Sequence, residues 1–267
     1  MKLTIIGCAG SMSGRDSAAS SYLVQAMGPD PKLDGLERTW SVTVDFGAGA
    51  MGQLLNYADP AMIDAMVMSH LHADHCVDIV GMQVYRRWYP EGALSQIPVF
   101  SPGDGALRTR GISGDAEDET YASEFDFRRV RAGDAVRIGP MQIEFFQALH
   151  TVSALGVRIT GPSERGDGDL AVITYTGDTD YCESEVQAAH EADVLLSEAA
   201  FEEGRDTARG IHMTGLRAGE LARDAHAKRL LLTHLQPWTD ATTNVRDARS
   251  VFDGPVAAVR PGEVFEV

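Results

Sequence analysis

Residues 69–75 read Ser69-His70-Leu71-His72-Ala73-Asp74-His75 and place three imidazoles and one carboxylate on a single short segment. The apolar run Met66-Val67-Met68 comes directly before this segment and is typical of a buried strand. Imidazole together with carboxylate suits Zn, Mn or Fe, and so many donors exceed what one small cation can face. The segment therefore predicts a site for more than one ion at the end of a strand. The alternative, a polar loop that is merely rich in histidine, is disfavoured by further candidate ligands downstream.

The overall charge restricts the partners. The 267 residues include 39 acidic and 23 basic side chains, which gives a net charge of −16. A duplex or tRNA backbone would be repelled over most of such a surface, so a nucleic-acid substrate must be small or locally attracted. No stable nucleic-acid partner is expected. The length and the hydrophobic share of 44% predict one soluble globular domain over residues 1–267.

The cysteines and the apolar runs indicate the compartment. Cys8, Cys76 and Cys182 are odd in number and widely spaced, which argues against a disulfide framework and for a reducing environment. The apolar run 1–6 is too short for a signal-peptide core, and no stretch approaches membrane-spanning length. We therefore expect a cytoplasmic protein with no membrane partner.

Two segments before the histidine motif contain candidate site residues. A strand over 2–7 leads into a glycine-serine loop over 7–14, where Ser11 and Ser13 are candidate phosphate contacts; a simple tight turn is the alternative. A strand over 40–44 ends at Asp45, whose carboxylate is expected to accept the second ring N–H of a metal-bound histidine.

The segments after the motif are predicted to form a helix and a loop. Apolar residues at helical spacing, among them Val80, Val84 and Trp88, predict that a helix over 77–88 packs this face onto a sheet. Arg86 at its far end is either solvated or faces the substrate. The glycine-rich, acidic segment 103–124 is predicted to be a flexible loop, either a lid or an insertion without a role.

Strands and helices alternate in the second half of the chain. Together with the strand-rich first half, this order predicts an α/β (α+β) protein, a four-layer αββα sandwich with two facing sheets and helices outside. A helix over 51–58 is also predicted. In the second half, strands are predicted over 135–138, 141–148, 155–159, 170–175, 194–198 and 229–233, and helices over 183–191, 214–226 and 244–252.

The candidate ligands share one position relative to these elements. Five of the eight histidines and one aspartate follow predicted strands directly, on segments far apart in the chain, which is not expected of unrelated surface residues. His190 and His226 fall inside helical patterns and are interpreted as solvated. The residues that follow strands are His70, His72, His75, His150, His234 and Asp178.

The motif His70-x-His72-x-Asp74-His75, followed by His150, Asp178 in Gly-Asp-Thr and His234 in Leu-Thr-His-Leu, resembles the ordered ligand motifs of the metallo-β-lactamase superfamily. The resemblance covers nearly the whole chain. Asp178 together with His212 in His-Met-Thr is similar to the phosphodiesterase and ribonuclease Z branch. The segments 230–239 and 251–256 resemble short actinobacterial members regarded as cyclic-nucleotide phosphodiesterases.

The resemblance implies two divalent ions per chain, with zinc expected and manganese or iron as alternatives. It assigns one ion to His70, His72 and His150, the other to Asp74, His75 and His234, and makes Asp178 the bridging carboxylate. In such a centre the ions share a hydroxide that attacks phosphorus. The ions also neutralise the negative charge that grows on the phosphoryl oxygens.

Further residues are expected to act beside the ions, and the resemblance places His212 next to the scissile phosphate. Asp74 and His212 are the candidate catalytic residues; His212 would donate a proton to the leaving alkoxide, with a core histidine as the alternative. Glu198 is expected to hold His212 in the required tautomer, with a purely structural role as the alternative. Thr214 and Arg86 are further candidate phosphate contacts.

The function that the resemblance implies is hydrolysis of a small phosphodiester such as 3′,5′-cyclic AMP or GMP. A ribonuclease Z-like tRNA 3′ endonuclease is the nearest alternative, but no arm for tRNA is visible between His150 and Asp178, and the charge is unfavourable. Hydrolysis of another ester or a lactam, a di-iron redox role and a non-catalytic scaffold are weaker alternatives. A homodimer stays open.

Overall fold

Two β-sheets form the centre of the fold in a computed structural model, which describes residues 1–166 and 168–267. In the first sheet, β2 (Ala18–Ala19) pairs with β1, and the other strands lie in the spatial order β15 (Val264–Glu266), β1 (Lys2–Ala9), β3 (Ser21–Pro29), β4 (Glu37–Val44), β5 (Ala65–Val67), β6 (Ile97–Ser101) and β7 (Phe125–Arg129).

The second sheet faces the first. Its strands lie in the spatial order β14 (Val256–Ala258), β13 (Leu230–Thr233), β12 (Val194–Glu198), β11 (Leu170–Tyr175), β10 (Leu155–Pro162), β9 (Met141–Gln147) and β8 (Ala135–Ile138). Apolar side chains from both sheets, such as Leu3, Val42, Val157 and Leu196, form the core between them.

Helices cover the outer faces. On the first sheet, residues of α1 (Ala50–Leu54) and α3 (Ile79–Arg87) join a second apolar cluster with β5 and β6. On the other sheet, α6 (Gly215–Asp224) and α7 (Ala241–Arg249) form a third cluster with β12 and β13. The remaining helices are α2 (Ala73–Cys76), α4 (Gly105–Ser113) and α5 (Glu183–Ala188). The predicted αββα sandwich is therefore confirmed.

Parallel pairing places the loops that matter for function at one edge. Strands β4 to β7 are mutually parallel, as are β11 to β14. Their carboxyl ends therefore open at the same edge within each sheet, and ligand sites of such sheets are built there. No helix in the described part of the chain is both long and apolar enough to span a bilayer.

The predicted packing face of α3 is correct for Val80, which packs against the second apolar cluster, and wrong for Val84 and Trp88. Val84 and Trp88 are 54% and 73% exposed, whereas Met82 and Arg86 are buried. Arg86 donates a hydrogen bond to the Ser95 carbonyl. A periodic apolar pattern is expected to face the core, but here the long stem of an arginine lies inside because its polar end finds a carbonyl there.

The prediction of a flexible loop over 103–124 is also wrong. It contains α4, whose amino end is capped by the side chain of Asp104. Beyond this helix, Tyr121 is buried, and Arg87 of α3 forms ion pairs with Glu119 and Glu124. The segment is packed against α3 and β7, so the structure does not support a lid.

One buried acid is independent of the histidine cluster. Glu185 of α5 is fully buried, and neither of its carboxylate oxygens has a hydrogen-bond partner among the described residues. Burial raises the pKa of Glu185 well above its ordinary value of 4.5. The folded protein therefore holds a proton that the unfolded chain releases above that pH, and stability falls as the pH rises between the two pKa values.

We expect Glu185→Gln to remove this loss, because the amide never ionises. The free energy of unfolding of the variant relative to wild type should rise by about 1.4 kcal/mol per pH unit above the unfolded-state pKa until the folded-state pKa is reached. Urea titrations between pH 5 and 8 measure the difference. Glu183→Gln, at an exposed position of the same helix, is the control. A pH-independent difference for Glu185→Gln would contradict the interpretation.

Candidate metal centre

The candidate ligands meet where loops leave the carboxyl ends of strands in both sheets. The first sheet supplies His70, His72, Asp74 and His75 after β5. The second sheet supplies His150 after β9, Asp178 after β11 and His234 after β13. The sequence places these donors far apart, and the parallel ends bring them together between the two sheets.

One donor group consists of three imidazoles and one carboxylate oxygen. Nε2 of His70 lies 3.0 Å from Nδ1 of His72, which in turn lies 3.3 Å from Nε2 of His150. Oδ2 of Asp178 lies 3.7 Å from Nε2 of His70 and 4.0 Å from Nε2 of His150. The four donor atoms lie within 4.8 Å of one another, a spacing that suits one shared cation.

The other donor group uses the second oxygen of the same aspartate. Oδ1 of Asp178 lies 3.2 Å from Nε2 of His75 and 3.4 Å from Nε2 of His234. Oδ2 of Asp74 lies 3.4 Å and 3.8 Å from the same two nitrogens. The two oxygens of Asp178 thus face different donor groups, which is the arrangement of a bridging carboxylate.

The far ring nitrogens of the histidines are held in place. Nδ1 of His150 donates to the carbonyl of Ile211 at 2.8 Å, and Nδ1 of His234 lies 2.8 Å from the Ser20 hydroxyl. Nδ1 of His70 lies 3.1 Å from the Ser69 hydroxyl. Anchoring one ring nitrogen fixes the orientation of the other, as is usual for histidines that bind metals.

Asp45 holds the fourth of these rings. Its Oδ2 accepts hydrogen bonds from Nδ1 of His75 at 2.7 Å, from the Ser69 hydroxyl at 2.8 Å and from the Tyr175 hydroxyl at 2.9 Å. Its Oδ1 accepts from the Ser69 backbone N–H at 2.7 Å. The residue adopts a left-handed conformation, with φ of 57°. Asp45 therefore lies where the sequence predicts it, against a candidate ligand.

The chemistry of the centre fits divalent cations. Nε2 of His75 and Oδ1 of Asp178 are buried, face each other and have no hydrogen-bond partner among the described residues. Burial lowers the pKa of His75, but the carboxylates of Asp178 and Asp45 outweigh it and raise the pKa well above its usual value. Burying ligand atoms that have no hydrogen-bond partner, next to several carboxylates, costs free energy unless a cation lies among them.

His212 lies beside both donor groups and forms, with Glu198 and Asp178, a third set of potential ligand atoms. Its Nδ1 donates to Oε1 of Glu198 at 2.8 Å and lies 3.9 Å from Oδ2 of Asp178. Burial lowers the pKa of His212, but Glu198 outweighs it and raises the pKa to about 9. Glu198 is itself fixed by the backbone N–H groups of Thr179 and Ala200, each at 3.0 Å. This pairing agrees with the tautomer role predicted for Glu198.

Asp180 fixes the segment that carries His212. Its Oδ2 accepts from the Gly210 backbone N–H at 2.7 Å, and its Oδ1 accepts from the buried guanidinium of Arg217. Its own backbone N–H donates to the Leu149 carbonyl at 2.8 Å, next to His150. One aspartate thus connects the loops of two functional histidines.

The candidate phosphate contacts have different outcomes. Thr214 is fully buried, and its hydroxyl donates to Glu203 and caps α6. Arg86 is buried and bonded to the Ser95 carbonyl, so both side chains are engaged within the protein and their contact with substrate stays a prediction. Ser11 lies at the centre, where its backbone N–H points to Nε2 of His234 at 3.3 Å. Ser13 is half-buried in the same loop, and both serines remain predictions.

Several residues of the centre were not predicted from the sequence. Ser20, Ser69, Tyr175 and the Ile211 carbonyl anchor the imidazoles or Asp45. Ser69 adjoins the histidine motif, and Tyr175 ends a predicted strand, so their positions were a usable signal. Ser20 precedes β3, a strand that was not predicted, and a carbonyl oxygen has no sequence signature.

This fold and this centre define a metallo-hydrolase. The model of the beta-lactamase superfamily domain matches residues 41–235. Uncharacterized protein ML1173 of Mycobacterium leprae is 37% identical over 269 residues, covering 100% of this chain and 89% of the relative. Ribonuclease Z of Haloferax volcanii is 25% identical over 324 residues, covering 100% of this chain and 95% of the relative.

A solved structure agrees with these relatives. Probable metallo-hydrolase YhfI of Bacillus subtilis is 32% identical over 271 residues, with 100% of both chains covered. Its crystal structure, described as a metallo-beta-lactamase fold protein, superposes with a TM-score of 0.83 at 28% identity and covers 100% of this chain and 99% of that one. The chain belongs to the beta-lactamase superfamily and has the metallo-beta-lactamase fold.

Proposed function

We propose that the protein is a dinuclear metal-dependent phosphodiesterase that hydrolyses a small phosphodiester such as 3′,5′-cyclic AMP or GMP. The observation that supports this most strongly is that two donor groups share Asp178 while His212 lies next to both. Zinc is the expected ion, because imidazoles dominate the donors; manganese or iron would also suit them.

His70, His72 and His150 would hold one ion, Asp74, His75 and His234 the other, and Asp178 both. Ions bound there would supply Lewis-acid polarisation of phosphoryl oxygens and activation of water. Asp45 and the Ser20 hydroxyl keep the ring nitrogens of His75 and His234 directed at the centre. The protein thereby fixes the geometry before the substrate arrives.

His212 is the proposed proton donor. Hydrolysis adds water across one P–O bond, and the alkoxide that leaves needs a proton. With Nδ1 engaged by Glu198, Nε2 is the nitrogen that is free to deliver it. Glu198 both selects this tautomer and balances the positive charge of the protonated ring.

The shape and charge of the protein favour a small substrate over tRNA. Between His150 and Asp178 the only strands of the described chain are β10 and β11, which pair as an antiparallel hairpin. With a net charge of −16, no basic arm offsets the repulsion of a long phosphate backbone. A ribonuclease Z-like activity, suggested by the Haloferax volcanii relative, is therefore the second candidate.

A single substrate panel tests the proposal. Purified protein with added Zn²⁺ or Mn²⁺ is offered 3′,5′-cyclic AMP, 3′,5′-cyclic GMP, 2′,3′-cyclic nucleotides, a dinucleotide and pre-tRNA at physiological salt. We expect the small diesters to be hydrolysed and pre-tRNA to be left intact, because only the small diesters avoid repulsion by the acidic surface.

The matched control is Asp178→Ala protein purified in the same way, which reports contaminating phosphodiesterase. Efficient cleavage of pre-tRNA with no turnover of small diesters would replace our proposal with the ribonuclease Z-like one. No turnover of any phosphodiester would favour another ester or lactam substrate.

A further inference from the structure

A groove of about 480 Å³ has the loop that carries His150 as one of its walls and contains none of the candidate ligands. Its volume falls in the range of pockets that hold small organic molecules. Its walls come from the end of β6, the end of β7 and the loop that carries His150. The lining residues are Pro102, Arg129, Val130, Arg131, Asp134 and Ser153.

The walls of this groove are continuous with the loops of the first donor group. Ser153 belongs to the short loop that contains His150 and is closed by the hydrogen bond between Ala148 N–H and the Ala154 carbonyl at 3.1 Å. On the opposite wall, Pro102 precedes Gly103, where an added Cβ would lie 2.8 Å from Cδ1 of Leu71, the residue between His70 and His72. The groove and the first donor group thus share the loop of His150, and the Pro102 wall adjoins a residue in contact with Leu71.

The groove carries exposed guanidinium groups on a strongly acidic protein. Arg129 is exposed, its Nε donates to the Pro102 carbonyl at 3.2 Å, and it forms no ion pair with any described residue. Arg131 is 89% exposed at its side chain, and its only ionic contact in the described chain is a long one of 3.9 Å to Asp134. Both guanidinium groups thus keep donors free.

A pair of guanidinium groups with free donors is suited to phosphate, whose oxygens they bind in pairs. Under the proposed function, the scissile phosphate would bind at the donor groups that share Asp178. A second anionic group a short distance along the substrate is what the arginines can reach.

We propose that Arg129 and Arg131 form a subsite for a second phosphate of the substrate. The inference rests on the proposed phosphodiesterase function and narrows it: small phosphodiesters that carry an additional phosphomonoester are preferred over those with the scissile phosphate alone. Cyclic mononucleotides remain substrates, because they offer the same scissile group, but they leave this groove empty.

Two matched substrates test the subsite. The p-nitrophenyl ester of thymidine 5′-phosphate and the same ester carrying a 3′-phosphate differ only in the second phosphate. We expect wild type to prefer the 3′-phosphorylated ester in kcat/KM. The double variant Arg129→Gln/Arg131→Gln should lose about 10- to 100-fold on that ester, as for lost charged hydrogen bonds, and change little on the other.

The control is Arg137→Gln, at an exposed position of β8 that does not line the groove. Equal losses in both variants, or equal losses on both esters, would overturn the subsite. A binding measurement separates it from the proposed function: calorimetry compares thymidine 3′,5′-bisphosphate with thymidine 5′-phosphate on the intact protein. A bisphosphate preference that disappears in the double variant supports the subsite even if neither ester is turned over, and equal affinities would overturn it.

Discussion

Asp178→Ala is expected to abolish activity and to reduce the metal content of both donor groups together. Each oxygen of this carboxylate faces a different group, at 3.2 Å from Nε2 of His75 and 3.7 Å from Nε2 of His70. Its removal therefore weakens two sites rather than one. We expect about two divalent ions per wild-type chain, fewer than one in the variant, and a loss of turnover of about 10³-fold or more. Elemental analysis and steady-state kinetics measure these quantities.

The control for this prediction is Asp118→Ala, which removes an exposed carboxylate outside the centre. Asp178→Asn serves as a second variant, because it removes the charge and keeps the size of the side chain. Circular dichroism shows whether each variant is folded. His70→Ala should lose metal and activity as well, but chiefly from one donor group. Wild-type protein that turns over fully without metal, or a folded Asp178→Ala protein with two ions and full activity, would contradict the assignment.

His212→Asn is expected to retain metal and to lose rate in proportion to the need of the leaving group for a proton. The imidazole contacts Glu198 at 2.8 Å and lies outside the two donor groups assigned to the ions, although it forms a third group with Glu198 and Asp178. For a diester with an alkyl leaving group we expect a loss of about 10²- to 10⁴-fold, as for a general acid. For a p-nitrophenyl ester the loss should be small, because nitrophenolate leaves without protonation.

The matched control is His190→Asn, which changes an exposed histidine far along the chain from the motif. Glu198→Gln should reproduce part of the leaving-group dependence, since it disturbs the tautomer without removing the ring. Equal losses on alkyl and nitrophenyl esters would assign His212 to substrate positioning, and loss of metal in the variant would make it a ligand.

The residues that follow predicted strands, together with the resemblance to the metallo-β-lactamase superfamily, were sufficient to predict the fold and the seven candidate ligands. Such a prediction works because parallel strands bring their carboxyl ends together, so a residue that directly follows a strand has a defined position in space. Asp45 and Glu198 could be predicted for the same reason, as both lie at strand ends. Information of this kind is local in sequence and needs no knowledge of packing.

The failures concern contacts between distant segments. The acidic segment 115–124 is ordered because Arg87 of α3 binds two of its glutamates, and no local pattern reveals that partner. The burial of Arg86 depends on the carbonyl of Ser95. One failure is local: α7 begins at Ala241 instead of 244, because Asp240 caps it by accepting from the Thr242 N–H at 2.9 Å.

The donors of the candidate centre belong to both halves of the sandwich. His70 and His75 follow a strand of one sheet, whereas His150, Asp178 and His234 follow strands of the other. A bound cation would therefore link the two sheets, and separating the sheets would require its release. The free energy of unfolding would then grow with the logarithm of the free-ion concentration. A low concentration of free metal would consequently lower the stability of the fold together with the activity.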